Sequence, residues 1–237
     1  MMKRRQTMSH PDPLHRVLYI DLSRRDFHIE ERPELFEAGL GGTGVAIRLL
    51  EEHCPENADA LGKENPIIFA VGPLTGLYPL ASKTVAMFKS PLTGELGESH
   101  CGGRSAVSIR MAGYGAVVIQ GQSRRPIYLV IKDDKVHFRD ASALWGTQSS
   151  YTSGSVLRKR EQGSGYRTIM RIGRAGEEQV RYACVITETY RHFGRLGLGA
   201  VFGSKRLKAI VVQGKRNLPV TDRAAYRKVY DRIYKTA

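Results

Sequence analysis

Ala116-Val117-Val118-Ile119-Gln120-Gly121 returns as Ala209-Ile210-Val211-Val212-Gln213-Gly214, 93 residues further along the chain. Each copy is a short apolar run rich in β-branched residues and closed by glycine, the pattern of a buried strand. The match extends upstream. His100-Cys101-Gly102-Gly103-Arg104 precedes a helical stretch from Ser105 to Met111, and His192-Phe193-Gly194-Arg195, followed by Gly197, precedes one from Leu198 to Lys205. The two histidines stand 16 and 17 residues before their strands. A unit of glycine loop, short helix and buried strand is therefore present twice, and two structural halves related by an approximate two-fold axis are expected. One echo falls short of the three or more repeats that mark a solenoid.

The flanking sequence reads as hairpins with helices between them. Arg16 to Leu22 is a strand, paired through Ser23-Arg24-Arg25-Asp26 with Phe27 to Glu30. Gly41-Gly42-Thr43-Gly44 leads into a helix from Val45 to Glu52. Pro66 to Val71 and Val85 to Lys89 are strands, each followed by a Pro-Leu-Thr-Gly turn at 73–76 and 91–94. Ile127 to Lys132 and Lys135 to Arg139 form a hairpin, and Tyr151 to Arg160 a helix. Tyr166 to Ile172 and Gln179 to Thr187 are strands flanking a turn at 173–176. Hairpins with scattered helices point to an α+β fold. From an N-cap at Thr221, the stripe Tyr226, Val229, Tyr230, Ile233 and Tyr234 predicts an amphipathic helix over 220–237, which folds back on its own domain or leads to an absent domain or partner.

Lys and Arg number 37 against 23 Asp and Glu, a formal charge of +14, and 41% of residues are hydrophobic. That composition belongs to a folded protein, and 237 residues suffice for one large or two small domains without a covalent staple. No apolar run approaches the roughly 18 residues of a membrane span, so no membrane association is expected. Residues 1–14 open with basic residues but meet Pro11, Asp12 and Pro13 where an export signal needs an apolar core, and are expected to be a disordered cytoplasmic tail. Cys54, Cys101 and Cys184 include no Cys-x-x-Cys pair, which excludes a self-contained zinc or iron-sulfur site. Basic runs at Lys3-Arg4-Arg5, Arg158-Lys159-Arg160 and Lys205-Arg206 raise the possibility of a nucleic-acid surface. Aromatic residues do not interleave with these runs as a stacking platform requires, so no nucleic-acid partner is expected. The excess charge instead suits anionic cofactor groups or an acidic partner.

A glycine loop feeding a helix presents unpaired N–H groups and the positive end of the helix dipole, which together favour phosphate. Arginine stands beside both loops: Arg104 at the first, Arg191 and Arg195 at the second. Two such cradles suit a ligand, or ligand pair, with two phosphates; neither is a Walker or Gly-x-Gly-x-x-Gly motif. The competing reading is that these glycines only permit close packing. His100 and His192 could be paired metal ligands or general bases, but their flanks hold no further side-chain ligands in short register. Cys101 reads either as a thiol activated by Arg104 or as a small buried residue. There is no Ser/His/Asp set and no carboxylate pair for hydrolysis.

A set of further segments runs in order along the chain: Gly72-Pro73-Leu74-Thr75-Gly76, Lys89-Ser90-Pro91-Leu92-Thr93-Gly94, Gly102-Gly103, Ala112-Gly113-Tyr114, Arg139-Asp140-Ala141-Ser142 with Trp145-Gly146, Ala175-Gly176-Glu177, and Gly199-Ala200-Val201 with Gly203-Ser204-Lys205. With them the chain, from Arg16 to Pro219, resembles the N-terminal domain of the aldehyde ferredoxin oxidoreductase family, tungsten and molybdenum enzymes with a bis-pterin cofactor. The resemblance implies an α+β fold of two intertwined structural repeats, with antiparallel sheets and short helices, and a pterin-binding domain over 15–219. It implies a base on which two pterin-dithiolene ligands sit, their phosphates bridged by magnesium. The magnesium would be held by the main-chain carbonyls of His100 and His192, and Lys83, Cys101, Gly102, Gly103, Arg191, Gly194 and Arg195 would lie beside the phosphates.

Lys83 stands where the family carries arginine, and Thr43, His100 and Leu196 also depart from its pattern. Those departures sustain an alternative, a non-catalytic scaffold or binding subunit that keeps the fold without pterin. Family enzymes continue into helical domains that supply four cysteines to a [4Fe-4S] cluster, and those ligands are absent here. The resemblance therefore implies a cofactor-base domain or subunit of a cytoplasmic oxidoreductase that converts aldehyde to carboxylate and passes electrons to ferredoxin or a related carrier. It would be inactive without a cluster-bearing C-terminal part or separate subunit.

Overall fold

The computed structural model describes residues 12–147, 149–188 and 190–237, so the expected tail lies, up to residue 11, outside the described residues. One six-stranded sheet is built from β1 (Arg16–Asp21), β2 (Asp26–Glu31), β3 (Ile67–Val71), β4 (Thr84–Lys89), β5 (Leu96–Cys101) and β6 (Ala116–Gln120), in the order β2-β1-β6-β3-β4-β5. A second is built from β7 (Ile127–Lys132), β8 (Lys135–Asp140), β9 (Tyr166–Arg171), β10 (Val185–Thr187), β11 (Arg191–Phe193) and β12 (Leu207–Gly214). Read from its hairpin edge, its order is β8-β7-β12-β9-β10-β11. The two sheets share one diagram. Each is antiparallel except for a single parallel pair, β1 with β6 and β7 with β12, so both are mixed rather than purely antiparallel. Parallel neighbours need a long crossover, and here each crossover carries helices.

The rungs match as well. One row of the first sheet runs Glu30, Val17, Ala116, Ala70, Val85, His100. The corresponding row of the second runs Arg139, Tyr128, Ala209, Arg171, Ile186, His192. The sequence echo between Ala116 and Ala209 is thus one rung of a repeat that covers the whole of both sheets.

Helices α1 (Pro33–Gly39), α2 (Gly42–His53), α3 (Arg104–Ala112), α4 (Ser150–Arg160), α5 (Arg174–Glu177), α6 (Leu198–Ser204) and α7 (Arg223–Thr236) complete the chain. α2 covers β3 and β4, and α4 packs on β9. A later helix of each half, α3 and α6, reaches the other sheet. α3 packs on β9 and β12 of the second sheet. α6 sets Phe202 against Phe69 of β3, with ring centroids 6.3 Å apart, and Phe193 lies 5.4 Å from the same ring. This exchange interlocks the halves around one continuous core that includes Val17, Ile68, Phe69, Val118, Phe193, Phe202 and Ile210. Each such aromatic or aliphatic side chain, fully buried, contributes about 1.5–3 kcal/mol.

Several local features differ from the sequence reading. β5 and β11 are strands where loops were expected. In β5 the inward positions are Gly97, Ser99 and Cys101, too small and polar to signal a buried face. Residues 179–184 are not strand, and Arg174 to Glu177 forms a short helix in place of a turn. The cap of α7 is Asp222, whose Oδ1 accepts from the backbone N–H groups of Ala224 and Ala225, not Thr221. No residue of α7 is buried; Tyr226 holds it by donating to the Leu77 carbonyl at 2.6 Å, with its ring 5.3 Å from that of Tyr78. Lys205, read as part of a charge run, is buried, with Nζ donating to the carbonyls of Gly62, Lys63 and Gly121.

Candidate functional site

The far edges of the two sheets, β5 and β11, lie against each other. The Arg195 N–H donates to Ser99 Oγ at 3.3 Å. On the other side a Cβ added to Gly103 would sit 3.4 Å from Arg191 Cγ. Ser99 corresponds to Arg191 and Gly103 to Arg195 by the same offset that relates His100 to His192, so the two contacts are mates across a local two-fold axis. Both glycine loops therefore leave the sheets at one place. Residues 102 and 194 are not on opposite flanks.

Around this axis Lys83, His100, Arg191, His192, Gly194 and Arg195 are exposed, and Gly102 and Gly103 are half-buried. Cys101 is buried; its Sγ lies 3.3 Å from Thr187 Oγ1 and donates towards the Gly102 carbonyl at 3.3 Å. Burial pushes its thiol above the usual range, opposed by the Thr187 hydrogen bond and by the charges of Arg191 and Lys83. Of the two readings of this thiol, the small buried residue is the one realised. Lys83 immediately precedes Thr84, the β4 partner of Cys101, and Arg191 lies beside Gly103.

The glycines divide between the two roles weighed from sequence. An added Cβ at Gly102 meets nothing within 4 Å, and one at Gly194 meets only His192 Cδ2 at 3.7 Å, so both face open space. Gly197, Gly199 and Gly203 instead pack on the carbonyls of Arg181, Cys184 and Gly176. Gly103, at φ +104°, is the N-cap of α3 with no side-chain cap, so first-turn N–H groups of that helix are left without the usual partner. Leu196 adopts φ +66°, an uncommon conformation for a branched side chain, and its carbonyl accepts from Ser90 Oγ at 2.8 Å. Open glycines, free helix N–H groups and Lys83 and Arg191 nearby make a donor set that fits phosphate groups.

The His100 ring is engaged by its own strand. His100 Nε2 lies 2.6 Å from Glu98 Oε1, which also accepts from Thr43 Oγ1 at 2.8 Å. These contacts, His100 first and Thr43 second, hold the Glu98 carboxyl below its usual range. Sequence reasoning missed Glu98; two residues before His100, it shares the outward face of β5. Among the described residues no three His, Cys, Asp or Glu side chains are grouped to hold a metal.

The aldehyde ferredoxin oxidoreductase N-terminal domain family matches residues 17–214. The tungsten-containing aldehyde ferredoxin oxidoreductases of Thermococcus kodakarensis and Pyrococcus furiosus are 41% and 39% identical to the chain over 216 residues, covering 90% of it and 35% of each relative. An aliphatic sulfonate oxidoreductase, WOR-like subunit, of Pyrococcus furiosus is 33% identical over 218 residues, covering 86% of this chain and 35% of its own. Among solved structures, the active site complex BamBC of benzoyl coenzyme A reductase, bound to 1,5-dienoyl-CoA, aligns with a TM-score of 0.87 at 31% identity, over 94% of this chain and 34% of that one. The chain thus spans about a third of the length of the relatives it matches. With two sheets of one topology and a family match over nearly all of both, the chain belongs to the aldehyde ferredoxin oxidoreductase family, whose N-terminal domain it represents.

Proposed function

We propose that this domain is the base of a tungsten bis-pterin oxidoreductase site and holds the cofactor through its phosphates. The observation that carries the reading is the meeting of the two glycine loops on one local axis, with open space above Gly102 and Gly194, Lys83 next to the β4 residue paired with Cys101, and Arg191 beside Gly103. In this reading Lys83, Arg191 and Arg195 supply charge to the phosphates, and Gly102 and Gly103 let the backbone approach them. Guanidinium forks at Arg191 and Arg195 suit phosphate oxygens, and Lys83 acts as a point charge. The main-chain carbonyls of His100 and His192, related by symmetry, are the magnesium donors. Hard oxygen donors suit that ion, and a carbonyl ligand places no demand on the side chain.

When bound, the tungsten pterin would supply two-electron redox chemistry, and the protein supplies binding and orientation. Tungsten is favoured over molybdenum because the relatives are named for it. The reaction is the oxidation of an aldehyde to a carboxylate in the cytoplasm, with ferredoxin or a related carrier as acceptor. A cluster-bearing C-terminal part or separate subunit completes the site, in keeping with a chain that spans 35% of those relatives. No described helix is long and apolar enough to cross a membrane. A scaffold without pterin has less support, because the open loops and their charges are retained despite Lys83 and Leu196.

The test is tungsten, phosphorus and pterin content of the chain purified with its cluster-bearing part. Arg191→Ala combined with Lys83→Ala is expected to lower all three together. Wild-type content in the double variant would overturn the assignment.

A further inference from the structure

Helix α7 runs for 14 residues along the surface without burying one of them. Its apolar stripe continues past the Tyr78 anchor as a row of rings. The centroids of Tyr226 and Tyr230 lie 5.9 Å apart and those of Tyr230 and Tyr234 6.4 Å, and Tyr234 is 70% exposed. Leu80, 80% exposed and at φ +65°, adds to this surface at the helix end, where it lines a hollow with Arg232 and Ile233. A groove of about 1,030 Å³ opens along the other flank, lined by Leu218, Val220, Arg223, Tyr226, Arg227 and Lys228 among others. Small organic ligands occupy roughly 300–1,000 Å³, so a groove at that limit, continued by an uncovered stripe, suits a polypeptide. A helix of this length is marginal in water alone and takes its stability from the packing of its apolar face.

The charges specify what covers it. Arg223, Arg227 and Lys228 face the groove against Asp231, and Arg232 borders the opposite side. Among the described residues none of these four cations forms an ion pair. A surface acidic at its rim relieves them and is steered towards them. Tyrosine and arginine are also the residues in which protein interfaces are enriched. A second copy is the poorer occupant, because it sets these cations against themselves on a chain of formal charge +14. Membrane-surface helices carry Trp, Phe and Leu on the apolar face, where α7 carries three tyrosines.

We propose that α7 and its Leu80 rim are the docking surface for the cluster-bearing part, which meets them with an apolar ridge bordered by carboxylates. The identity of the partner rests on the proposed function; the uncovered stripe and its unpaired cations do not.

The test is hydrogen exchange of the α7 amides in the full 237-residue chain alone and in its tungsten-loaded complex with the cluster-bearing part. Exchange is expected to slow by about a hundredfold or more in the complex. Tyr230→Ala with Ile233→Ala, which keeps helix propensity, and Arg227→Glu with Arg232→Glu are each expected to remove about tenfold or more of that protection. Three results would overturn the docking surface: α7 exchanging in the complex as it does in the chain alone, α7 already protected in the chain alone by residues 1–11 or by a second copy, or equal protection on phosphatidylserine vesicles. Tungsten bound normally in any of these cases leaves the floor reading standing. Conversely, Lys83→Ala with Arg191→Ala is expected to leave α7 protected in the complex, so failure of the floor reading does not carry the docking surface with it.

Discussion

His100 and His192 occupy the same rung of two sheets built on one strand order, each at the outer end of a row that runs through Ala116 or Ala209. Because β5 and β11 also lie against each other, the repeat brings its two matched ends to a single axis instead of distributing them over the surface. A ligand with two equivalent phosphate groups is matched by such an arrangement, since each half can present the same main-chain group to it.

The contrast between open and packed glycines predicts opposite phenotypes. Gly203→Ala drives a Cβ into the Gly176 carbonyl between two short helices and is expected to cost about 1–3 kcal/mol. Gly102→Ala meets no atom within 4 Å and should change stability by less than about 0.5 kcal/mol, yet lower tungsten content in the assembled enzyme. Thermal unfolding and metal analysis of both variants check the pair.

Lys208 and Glu177 form an ion pair buried on both sides, and Glu177 Oε2 also accepts from the Gly146 N–H at 2.9 Å. Lys208→Met strands the carboxylate and is expected to cost about 3–5 kcal/mol. Adding Glu177→Gln, which removes the uncompensated charge, should recover a large part of that loss. Urea unfolding of the two single variants and the double variant measures the coupling.

Burial lowers the Lys205 ammonium to about 8 from an ordinary value of 10.5, so between these values the unfolded chain holds a proton that the folded chain has released. Stability from this group therefore rises with pH across that window, and the penalty is full below it. Lys205→Met abolishes the rise and also leaves the carbonyls of Gly62, Lys63 and Gly121 without their donor. Denaturation at pH 7.5 and 9.5 should show wild type gaining on the variant at the higher pH; a constant difference would contradict this.

Parts of the fold were legible because single strands carried the evidence. β3, β12 and all but the last residue of β6 and β7 are buried on both faces, so each carries an unbroken apolar run. β5 and β11 were not, because their inward faces carry Gly97, Ser99 and Cys101 or span only three residues, and they are strands by virtue of their neighbours. Arg171 was equally hidden. It stands on the rung that Ala70 occupies in the other sheet, and its burial depends on the carbonyls of Ser150 and Glu188, which only the fold brings near. At the candidate site, the two loops and Arg191 beside them were visible as glycine and arginine motifs, and Lys83 was named only through the family resemblance. The link of Glu98 and Thr43 to His100 was not visible, because it joins a helix N-terminus to an edge strand.

The most direct measurement is a crystal structure of the tungsten-loaded complex, with the metal located by anomalous scattering. The account predicts a magnesium ion bridging the pterin phosphates at about 2.1 Å from the carbonyl oxygens of both His100 and His192. Pterin phosphates held elsewhere, with those two carbonyls facing only solvent, would contradict it.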